Sequence, residues 1–423
     1  MSKILVVVSC PIDTYSGYGA RARDFVKALL SLEKYEVQIL SQRWGNTRFG
    51  YLEDHEESKL SGLIVKSITR KPDVWIQITV PNEFQKVGTY NIGVTAGIET
   101  TLCDGSWIVG CNRMDLVLTS STHSKKVFEE SKFIQEDPKT KQVISNIELT
   151  TKVEVLIEGA DLTKYFPTRE LKTEVVENLN TIKESFCFLF VGHWLQGDLG
   201  SDRKNVGYTI KSFLETFKNK LNQPALILKT TKGNSSLIDR ENILDEIERI
   251  KSTVKGTVPN VYLLHGDLTD EEINELYNHP KVKAMVSLTK GEGFGRPLLE
   301  FSLTGKPILA SGWSGQTDFL KAPNCYLVGG TLKQVDRSAA SQNIILQDAK
   351  WFTPDDMQVG KLYKEIFKNY KQALIKGRQQ ANFSKKQFSF DEMVKQLGVL
   401  LDNNIPEMPK MVTLKLPKLQ TNG

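Results

Sequence analysis

The stretch KGEGFGRPLLEFSLTGKPILAS, residues 290–311, decides the fold class of this chain. A glycine-rich loop follows a buried apolar run at 284–288, and Pro297 suits the first turn of a helix. Gly305 suits the C-terminal cap of that helix. We therefore predict a helix over residues 296–304, whose free N–H groups and positive dipole end face the glycine loop. Such a helix start favours phosphate or sugar oxygens.

Two carboxylates belong to this stretch, Glu292 in the loop and Glu300 in the first turns of the helix. At a helix N-terminus, carboxylates are well suited to accept hydrogen bonds from sugar and ribose hydroxyls. Loop glycines by themselves fit equally well an ordinary strand–loop–helix turn with a capping glutamate. The whole pattern, rather than any single residue, therefore carries the interpretation.

The alternation of strand and helix extends from this stretch in both directions. Short runs of branched apolar residues alternate with helical patterns, which predicts parallel strands joined by right-handed helical crossovers. Strands are predicted at 4–9, 36–41, 73–79, 90–96, 116–120 and 153–157, and again at 186–192, 225–230, 261–266, 284–288, 307–310 and 325–328. Further helices are predicted at 20–32, 207–220, 240–255, 270–278 and 390–401. Asp270 is the expected N-cap of the helix at 270–278.

Length and composition agree with a folded protein of two, or three, domains. The chain has 423 residues, of which 40% are hydrophobic and 25% charged, as in ordinary soluble proteins. No apolar run approaches the roughly 18 residues that cross a bilayer, and the run at the start is too short for a signal-peptide core. The five scattered cysteines form no CxxC pair, which argues against a zinc site or a disulfide framework. We expect a cytoplasmic protein with buried thiols and no transmembrane segment.

One group of residues in the opening stretch resembles a known family. Glu292, Gly293, Phe294, Gly295, Pro297 and Glu300 resemble the EGFGxPxxE signature of retaining GT-B glycosyltransferases of family four. The resemblance implies an α/β fold of GT-B type, with two Rossmann-like domains whose parallel sheets face each other across a cleft. It also implies that Glu292 contacts the donor sugar and that Glu300 contacts the nucleotide ribose.

Other landmarks of the family follow in the expected order. The resemblance spans about residues 3–402. It includes SGYG at 16–19, the acceptor-side segment 97–128 with Glu99, Trp107 and Ser120 or Ser121, and the connector at 153–167, where Glu158 replaces asparagine. It also includes the segment 265–295 and the last helix at 388–401. It implies four regions: an N-terminal Rossmann-like acceptor domain at 1–168, a C-terminal Rossmann-like nucleotide-sugar domain at 180–388, a terminal helix at 389–402 that packs back toward the N-terminal domain, and an extended tail at 403–423.

The loop after the first strand of the second domain departs from the family pattern. The family has Gly-Arg followed six residues later by Lys, where arginine and lysine grip the diphosphate. Here the sequence is VGHWLQGDLGSDRKNVG, residues 191–207, with His193 in the arginine position and a longer loop. Lys204 matches the family lysine, and Arg203 is a candidate to replace the missing arginine. The alternative for Arg203 is a solvated loop charge. Asp318 stands where the family has glutamate, which leaves its role open.

The resemblance implies a retaining glycosyltransferase that uses a nucleoside-diphosphate sugar as substrate. We expect a UDP-sugar in preference to a GDP-sugar, with no cofactor and no metal. The candidate catalytic residues are Lys204, Arg203, Glu292 and Glu99. The candidate donor-binding residues are Gly17, Gly19, His193, Lys204, Glu292, Gly293, Phe294, Gly295 and Glu300. The first alternative is a nucleotide-sugar-binding protein without catalysis. A Rossmann oxidoreductase is disfavoured because no GxGxxG follows the first strand.

The acceptor is left open between DNA and a glycan, lipid-linked sugar or protein. The segments at 16–30 and 41–52 resemble glycosyltransferases encoded by tailed phages, some of which modify hydroxymethylated pyrimidines in DNA, so the compartment is bacterial or host cytoplasm. The net charge of +5 permits such a partner without demanding it. Six basic residues are candidates for one electropositive face, namely Arg21, Arg23, Arg43, Arg48, Lys125 and Lys126. The aromatic residues Trp44, Phe49 and Tyr51 are candidates to stack on a displaced base.

Overall fold

The computed structural model describes residues 3–137, 139–140, 142–233 and 235–408. Of the predicted tail at 403–423, residues 409–423 lie outside the described residues, and residues 403–404 belong to the last helix. Within the described residues, no helix is long and apolar enough to cross a membrane. All five cysteines are buried and unbonded to one another, as expected.

Two parallel sheets form the centres of the two halves of the chain. The strands of the first half are β1 (Ile4–Cys10), β2 (Tyr35–Ser41), β3 (Val74–Ile78), β4 (Tyr90–Thr95), β5 (Leu116–Thr119), β6 (Phe133–Glu136), β7 (Val143–Ile147) and β8 (Val153–Val155). Those of the second half are β9 (Cys187–Val191), β10 (Ala225–Lys229), β11 (Val261–Leu264), β12 (Val282–Ser287), β13 (Ile308–Ser311), β14 (Tyr326–Val328), β15 (Gly330–Gln334) and β16 (Lys350–Pro354). Among the described residues the sheet orders are β2-β1-β3-β4-β5-β8 and β11-β10-β9-β12-β13-β14.

Helices cover the sheets and connect their strands. They are α1 (Gly17–Ser31), α2 (Tyr51–Asp54), α3 (Ser58–Ser61), α4 (Gly105–Cys111), α5 (Thr122–Glu130), α6 (Glu174–Asn180), α7 (Val206–Phe217), α8 (Leu237–Ser252), α9 (Asp270–Asn278), α10 (Arg296–Ser302), α11 (Asp356–Lys368), α12 (Tyr370–Gln387) and α13 (Phe390–Asn404). Every predicted strand is present with its ends within two residues of the prediction, and all strand pairs within the two large sheets are parallel. The prediction of an α/β fold with two parallel sheets is therefore confirmed.

Two antiparallel hairpins were not predicted. One joins β6 to β7, and the other joins β15 to β16. The segment that leads from β15 to β16 packs around Trp351, in a small core of its own with Val335 and Ala349. Their strands are short and isolated from the large sheets, so the sequence offered no repeating strand–helix pattern for them.

Two details of the helix starts differ from the predictions. The predicted N-cap Asp270 is wrong, because Thr269 caps α9 and exchanges side chain–backbone hydrogen bonds with Glu272 at 2.8 and 3.2 Å. Helix α1 begins at Gly17 rather than at residue 20, so SGYG at 16–19 supplies its N-cap and first turn. Ser16 caps that helix by accepting a hydrogen bond from Gly19 N at 2.9 Å.

The last helix returns to the first half of the chain. In α13, Asp402 forms an ion pair with Lys34 at 2.7 Å, and Gly398 packs against Leu32 of the α1 C-terminus. Just before α13 the backbone pairs with Ala160, which donates to Phe388 O at 2.8 Å. The chain therefore crosses twice between its two sheet domains, once in the connector after β8 and once at the start of α13.

Candidate functional site

A cavity of about 500 Å³ lies between the two sheet domains, and we call it the cleft cavity. Its first-domain lining includes Gly17, Tyr18, Trp44, Ala96, Glu99 and Glu158, and its second-domain lining includes His193, Arg203, Lys204, Lys229 and residues 292–297. Several of these positions directly follow, or end, a parallel strand. The carboxyl edge of parallel sheets is where ligands bind in open α/β folds.

A cluster of opposite charges occupies one wall of the cleft cavity. Lys204 Nζ donates to both oxygens of Glu292, at 2.6 and 2.7 Å. Arg203 Nη1 lies 3.4 Å from Glu292 Oε2 and 3.5 Å from Glu99 Oε1, and donates to Gly291 O at 3.0 Å. The structure thus brings together the four residues predicted as catalytic, and Arg203 is part of this cluster rather than a solvated loop charge.

Burial and charge shift the ionisation of this cluster in opposite directions. Burial lowers the pKa of Lys204, although Glu292 offsets part of that change. Burial would raise the pKa of Glu292, but the charges of Lys204 and Arg203 outweigh it, so the pKa of Glu292 lies below its ordinary value. The pKa of Arg203 is raised, because Glu99 and Glu292 outweigh its desolvation. The cluster therefore favours the ionised form of Glu292 and the charged form of Arg203, and the two basic side chains face one carboxylate in the cavity wall.

The loop that carries these cations is held by neighbours on several sides. Arg203 O accepts hydrogen bonds from Lys290 N at 2.8 Å and from Thr289 Oγ1 at 3.1 Å, directly after β12. Asn205 adopts a left-handed conformation, with φ of 57°, and its amide donates to Leu288 O at 2.9 Å. Farther along the loop, Ser338 from the β15–β16 segment accepts from Asp198 N at 3.0 Å. The unusual length of this loop is thus matched by a segment that braces it.

The glycines of the 290–295 loop are required by close packing against the first domain. A Cβ at Gly293 would overlap Ala96 O, and one at Gly291 would overlap Glu99 O. Ser120 Oγ bridges the two sides, 2.5 Å from Ala96 O and 3.2 Å from Gly293 O. The loop is therefore both a wall of the cavity and a point of close packing between the two domains.

Two of the predicted donor contacts, Phe294 and Glu300, also contact other parts of the protein. Phe294 borders the cavity, but it is buried and its ring packs near Phe319 and Phe388, with centroids 5.0 and 6.4 Å apart. Glu300 does not line the cleft cavity; it accepts a hydrogen bond from Arg296 Nε at 2.8 Å, and Arg296 lines the cavity. A ribose contact by Glu300 remains a prediction.

Arg296 was not singled out from the sequence, and it joins the domains. Its guanidinium forms an ion pair with Asp24 of α1 and lies 3.9 Å from Glu158 of the connector. Together with Glu300, three carboxylates surround this one guanidinium. Burial raises the pKa of Glu300 to about 7, although the charge of Arg296 opposes the shift. The local sequence carries no signal for this cluster, because its members come from three distant segments.

Of the remaining predicted donor contacts, His193 and Gly17 line the cavity and Gly19 does not. His193 lines the cavity, and its Nδ1 lies 3.0 Å from Thr231 Oγ1. Burial lowers its pKa and Lys204 adds to that, so His193 is neutral at pH 7 and cannot supply the positive charge of the family arginine. Gly17 borders the cavity with open space around it, whereas Gly19 is buried against Thr14. Lys229, at the end of β10, lines the cavity and was missed.

The predicted basic face of the first domain is not formed as expected. Arg21 is 1% exposed and donates to Leu156 O at 2.7 Å, and Arg23 is 6% exposed and donates to Thr14 O at 2.9 Å. The prediction that these two arginines face an outside partner is therefore wrong, because α1 turns them inward onto carbonyl groups. Of the other four, Arg48, Lys125 and Lys126 pair with Asp54, Glu154 and Glu130, respectively.

The predicted stacking residues are also partly occupied. Trp44 stacks on Tyr18 with ring centroids 4.0 Å apart, and Tyr51 lies beneath Arg23 and beside His55. Phe49 is exposed. Trp107, from the acceptor-side segment, is buried in the core, and Asp318 accepts a hydrogen bond from Thr122 N at 2.7 Å across the domain boundary. Among the described residues, no three histidine, cysteine or acidic side chains are grouped so as to hold a metal ion.

Comparison with known proteins rests on the fold. No family model matches the chain, and no curated protein matches its sequence. Solved structures do match it, including Anabaena HepE in complex with UDP-glucose, at 12% identity over 95% of this chain and 100% of HepE, with a TM-score of 0.62. The chain has the GT-B fold.

Two further structures support the same assignment. Sucrose-phosphate synthase from Thermosynechococcus elongatus is 12% identical, with 95% of this chain and 99% of that one covered and a TM-score of 0.61. A glycosyltransferase from Rickettsia africae is also 12% identical, with 96% and 100% covered and a TM-score of 0.61. The GT-B arrangement expected from the sequence is confirmed, with the cleft cavity between its two domains.

Proposed function

We propose that this protein transfers a sugar from a nucleoside-diphosphate sugar, preferably a UDP-sugar, to an acceptor hydroxyl with retention of anomeric configuration. The observation that carries the proposal is the pair of partly buried cations, Lys204 and Arg203, held against Glu292 in the wall of the cleft cavity. The GT-B fold and the UDP-glucose bound to HepE support a nucleotide sugar as the donor.

The two cations can stabilise the negative charge that develops during the reaction. As the bond between the anomeric carbon and phosphate breaks, negative charge grows on the departing diphosphate. Fixed positive groups in a largely buried site stabilise that charge without having to reorganise. Lys204 and Arg203 are assigned this role, and Lys229 is a further cation on the cavity lining. Because the loop after β12 holds Arg203 in place, the charges are positioned before the donor binds.

Glu292 has two roles in the proposal. Its carboxylate fixes the orientation of Lys204 through two hydrogen bonds. It also accepts a hydrogen bond from a hydroxyl of the donor sugar, as the family resemblance implies. Since its pKa is lowered, Glu292 stays ionised at neutral pH and acts as an acceptor rather than as an acid. Glu99, which comes from the first domain and lies 3.5 Å from Arg203, is assigned to the acceptor side of the cavity.

The first experiment determines the donor. Thermal unfolding of the purified protein is followed with UDP-, GDP- and ADP-sugars, and calorimetry then gives the dissociation constant of the best donor. We expect a UDP-sugar to raise the unfolding midpoint most, because binding to the folded state alone stabilises it. No shift with any of the three classes would refute the proposal.

The second experiment separates an enzyme from a binding protein. The bound nucleotide sugar is incubated with the protein, and release of the free nucleotide is measured over hours. Turnover, including slow hydrolysis, supports a transferase. Tight binding without any turnover, in the presence or absence of acceptors, would favour the alternative of a nucleotide-sugar-binding protein without catalysis.

A further inference from the structure

The β15–β16 segment, residues 330–354, lies between β14 and α11 and stands outside the repeating strand–helix pattern of the second domain. It has a small core in which the buried Trp351 packs with Val335. Two residues from elsewhere pack against this core, Leu102 of the first domain and Trp313 from the loop after β13. The segment is therefore held by both domains and not only by its own hairpin.

The first contact of this segment is with the loop between β9 and α7, residues 192–205, which carries the two cations of the site and which we call the cation loop. Ser338 Oγ accepts a hydrogen bond from Asp198 N at 3.0 Å and donates one to Asp336 Oδ1 at 2.6 Å. Ser338 O accepts a further hydrogen bond from Gln196 Nε2 at 3.1 Å. One serine thus holds the cation loop at two points.

The cation loop needs an external anchor because its own backbone is weakly constrained. Gly197 and Gly200 both have positive φ, at 145° and 77°. Glycine loses more conformational freedom on ordering than any other residue. The two residues that bind Ser338 lie on either side of Gly197, so the contact fixes the loop where its backbone has the most freedom.

The second contact reaches Arg203 through the backbone of a single residue. Lys290 N donates to Arg203 O at 2.8 Å, and Lys290 O accepts from Phe352 N of β16 at 2.9 Å. The Lys290 side chain is buried, and its Nζ lies 5.4 Å from the centroid of the Trp351 ring. Strand β16 therefore fixes the residue that in turn fixes the backbone of Arg203.

The third contact crosses to the first domain. Thr101 N donates to Lys350 O, and Lys350 N donates to Thr101 Oγ1, both at 2.8 Å. Thr101 lies two residues after Glu99, whose carboxylate is 3.5 Å from Arg203 Nη1. The β15–β16 segment therefore contacts all three loops that carry the candidate catalytic residues, namely the loop after β4, the cation loop and the 290–295 loop.

Precise placement of the cation loop matters because His193 is neutral and cannot replace the arginine of the family pattern. The positive charge beside Glu292 comes instead from Arg203 and Lys204, near the end of a long loop. Fixed charges stabilise a transition state well only when they need no reorganisation. A displacement of about 1 Å can lower a rate roughly 100-fold.

We propose, on the basis of the sugar-transfer function above, that the β15–β16 segment is a positioning element for this reaction and that Ser338 is its principal positioning residue. Ser338 fixes the middle of the cation loop, and β16 fixes the backbone of Arg203. Thr101 and Lys350 hold the neighbouring loop of the first domain in register with them. The segment acts through these three loops and not by binding substrate.

The kinetic test compares Ser338→Ala with the wild type in steady-state turnover of the best nucleotide sugar. The variant lacks the hydroxyl that binds Asp198 N, so we expect kcat to fall by about 10- to 100-fold while the donor dissociation constant changes much less. Ser338→Thr keeps a hydroxyl and should retain most of the turnover. Ser341→Ala is the matched control, because this serine belongs to the same segment and its side chain forms no hydrogen bond within the described part of the chain.

Hydrogen exchange tests the contact without relying on activity. The amides of residues 192–205 should exchange faster in Ser338→Ala than in the wild type or in Ser341→Ala, because the loop loses an anchor and opens more often. Thermal unfolding shows whether each variant is folded. Unchanged exchange in the cation loop of a folded Ser338→Ala protein would overturn the proposal.

The kinetic results separate this inference from the sugar-transfer function. If the wild type turns over a nucleotide sugar and Ser338→Ala does so equally fast, the positioning role is wrong and the function stands. Equal losses in Ser338→Ala and Ser338→Thr would also overturn the role, because the hydroxyl would not be the cause. If the wild type neither binds nor turns over a nucleotide sugar, the function fails and the positioning role fails with it.

Discussion

Replacing Lys204 with alanine tests the central electrostatic claim. Lys204 Nζ lies 2.6 and 2.7 Å from the two oxygens of Glu292, and its side chain is only 16% exposed. The change removes one of two cations next to this carboxylate in the cavity wall. It leaves the loop backbone in place, because that backbone is held through Arg203 O and the Asn205 amide.

The size of the effect follows from the burial of the cluster. Two unit charges about 4 Å apart interact by roughly 4 kcal/mol at an effective dielectric constant near 20. Turnover is affected only by the part of this energy that is gained while negative charge develops on the diphosphate. Removing one fixed donor of this kind typically costs about 2.7–4 kcal/mol, or roughly 100- to 1000-fold in kcat. We expect the donor dissociation constant to change much less, because the ground state carries less charge at the breaking bond.

The Lys204→Ala change also lowers the free energy of unfolding, by a smaller amount, and a second variant separates this effect from the loss of activity. Without Lys204, Glu292 retains only Arg203, at 3.4 Å, as a close cation. Breaking a buried ion pair is destabilising because the remaining charge is left without its partner. A Lys204→Ala/Glu292→Gln double variant removes that unpaired charge. It should recover unfolding stability relative to Lys204→Ala while remaining inactive.

The assay is steady-state turnover of the best nucleotide sugar, with donor affinity measured by calorimetry. Lys211→Ala is the matched control, because this lysine lies on the exposed side of α7 and does not line the cleft cavity. A Lys204→Ala protein that folds normally and turns over within threefold of the wild type would refute the reasoning. The diphosphate charge would then have to be stabilised by other groups.

Three further changes test other parts of the structure. In the wild type, the pKa of Glu300 is about 7 against an ordinary value near 4.5, so the folded state binds the proton more tightly and stability is lost as pH rises through this range. In Glu300→Gln this loss of about 3 kcal/mol should disappear. Equal pH profiles of the two proteins in denaturant unfolding would contradict the prediction. Gly293→Ala should lower the free energy of unfolding by about 1–3 kcal/mol, because its Cβ would overlap Ala96 O. Gly17→Ala, with no atom within 4 Å of the added Cβ, should be as stable as the wild type. Thr269→Ala should cost about 1 kcal/mol in urea unfolding through loss of the α9 cap, and an unchanged midpoint would show that the cap contributes nothing.

The sequence by itself determined the features that depend on local patterns. Buried parallel strands read as short apolar runs, because both faces of such sheets are covered, and these runs located both large sheets. Pro297 and the glycines before it located the start of α10. Lys204 and Glu292 were identified by their position within a local motif, and the structure brings them together.

Only the tertiary structure decided which distant side chains meet. Arg296 contacts Asp24, 272 positions earlier in the chain, and also binds Glu300, which does not line the cleft cavity. Arg21 and Arg23 carry charges that a sequence alone assigns to the surface, yet α1 places them against backbone carbonyls. The physical reason is the same in each case. A local pattern fixes backbone conformation and which face is apolar, whereas the partner of a charge depends on how two separately folded layers are packed.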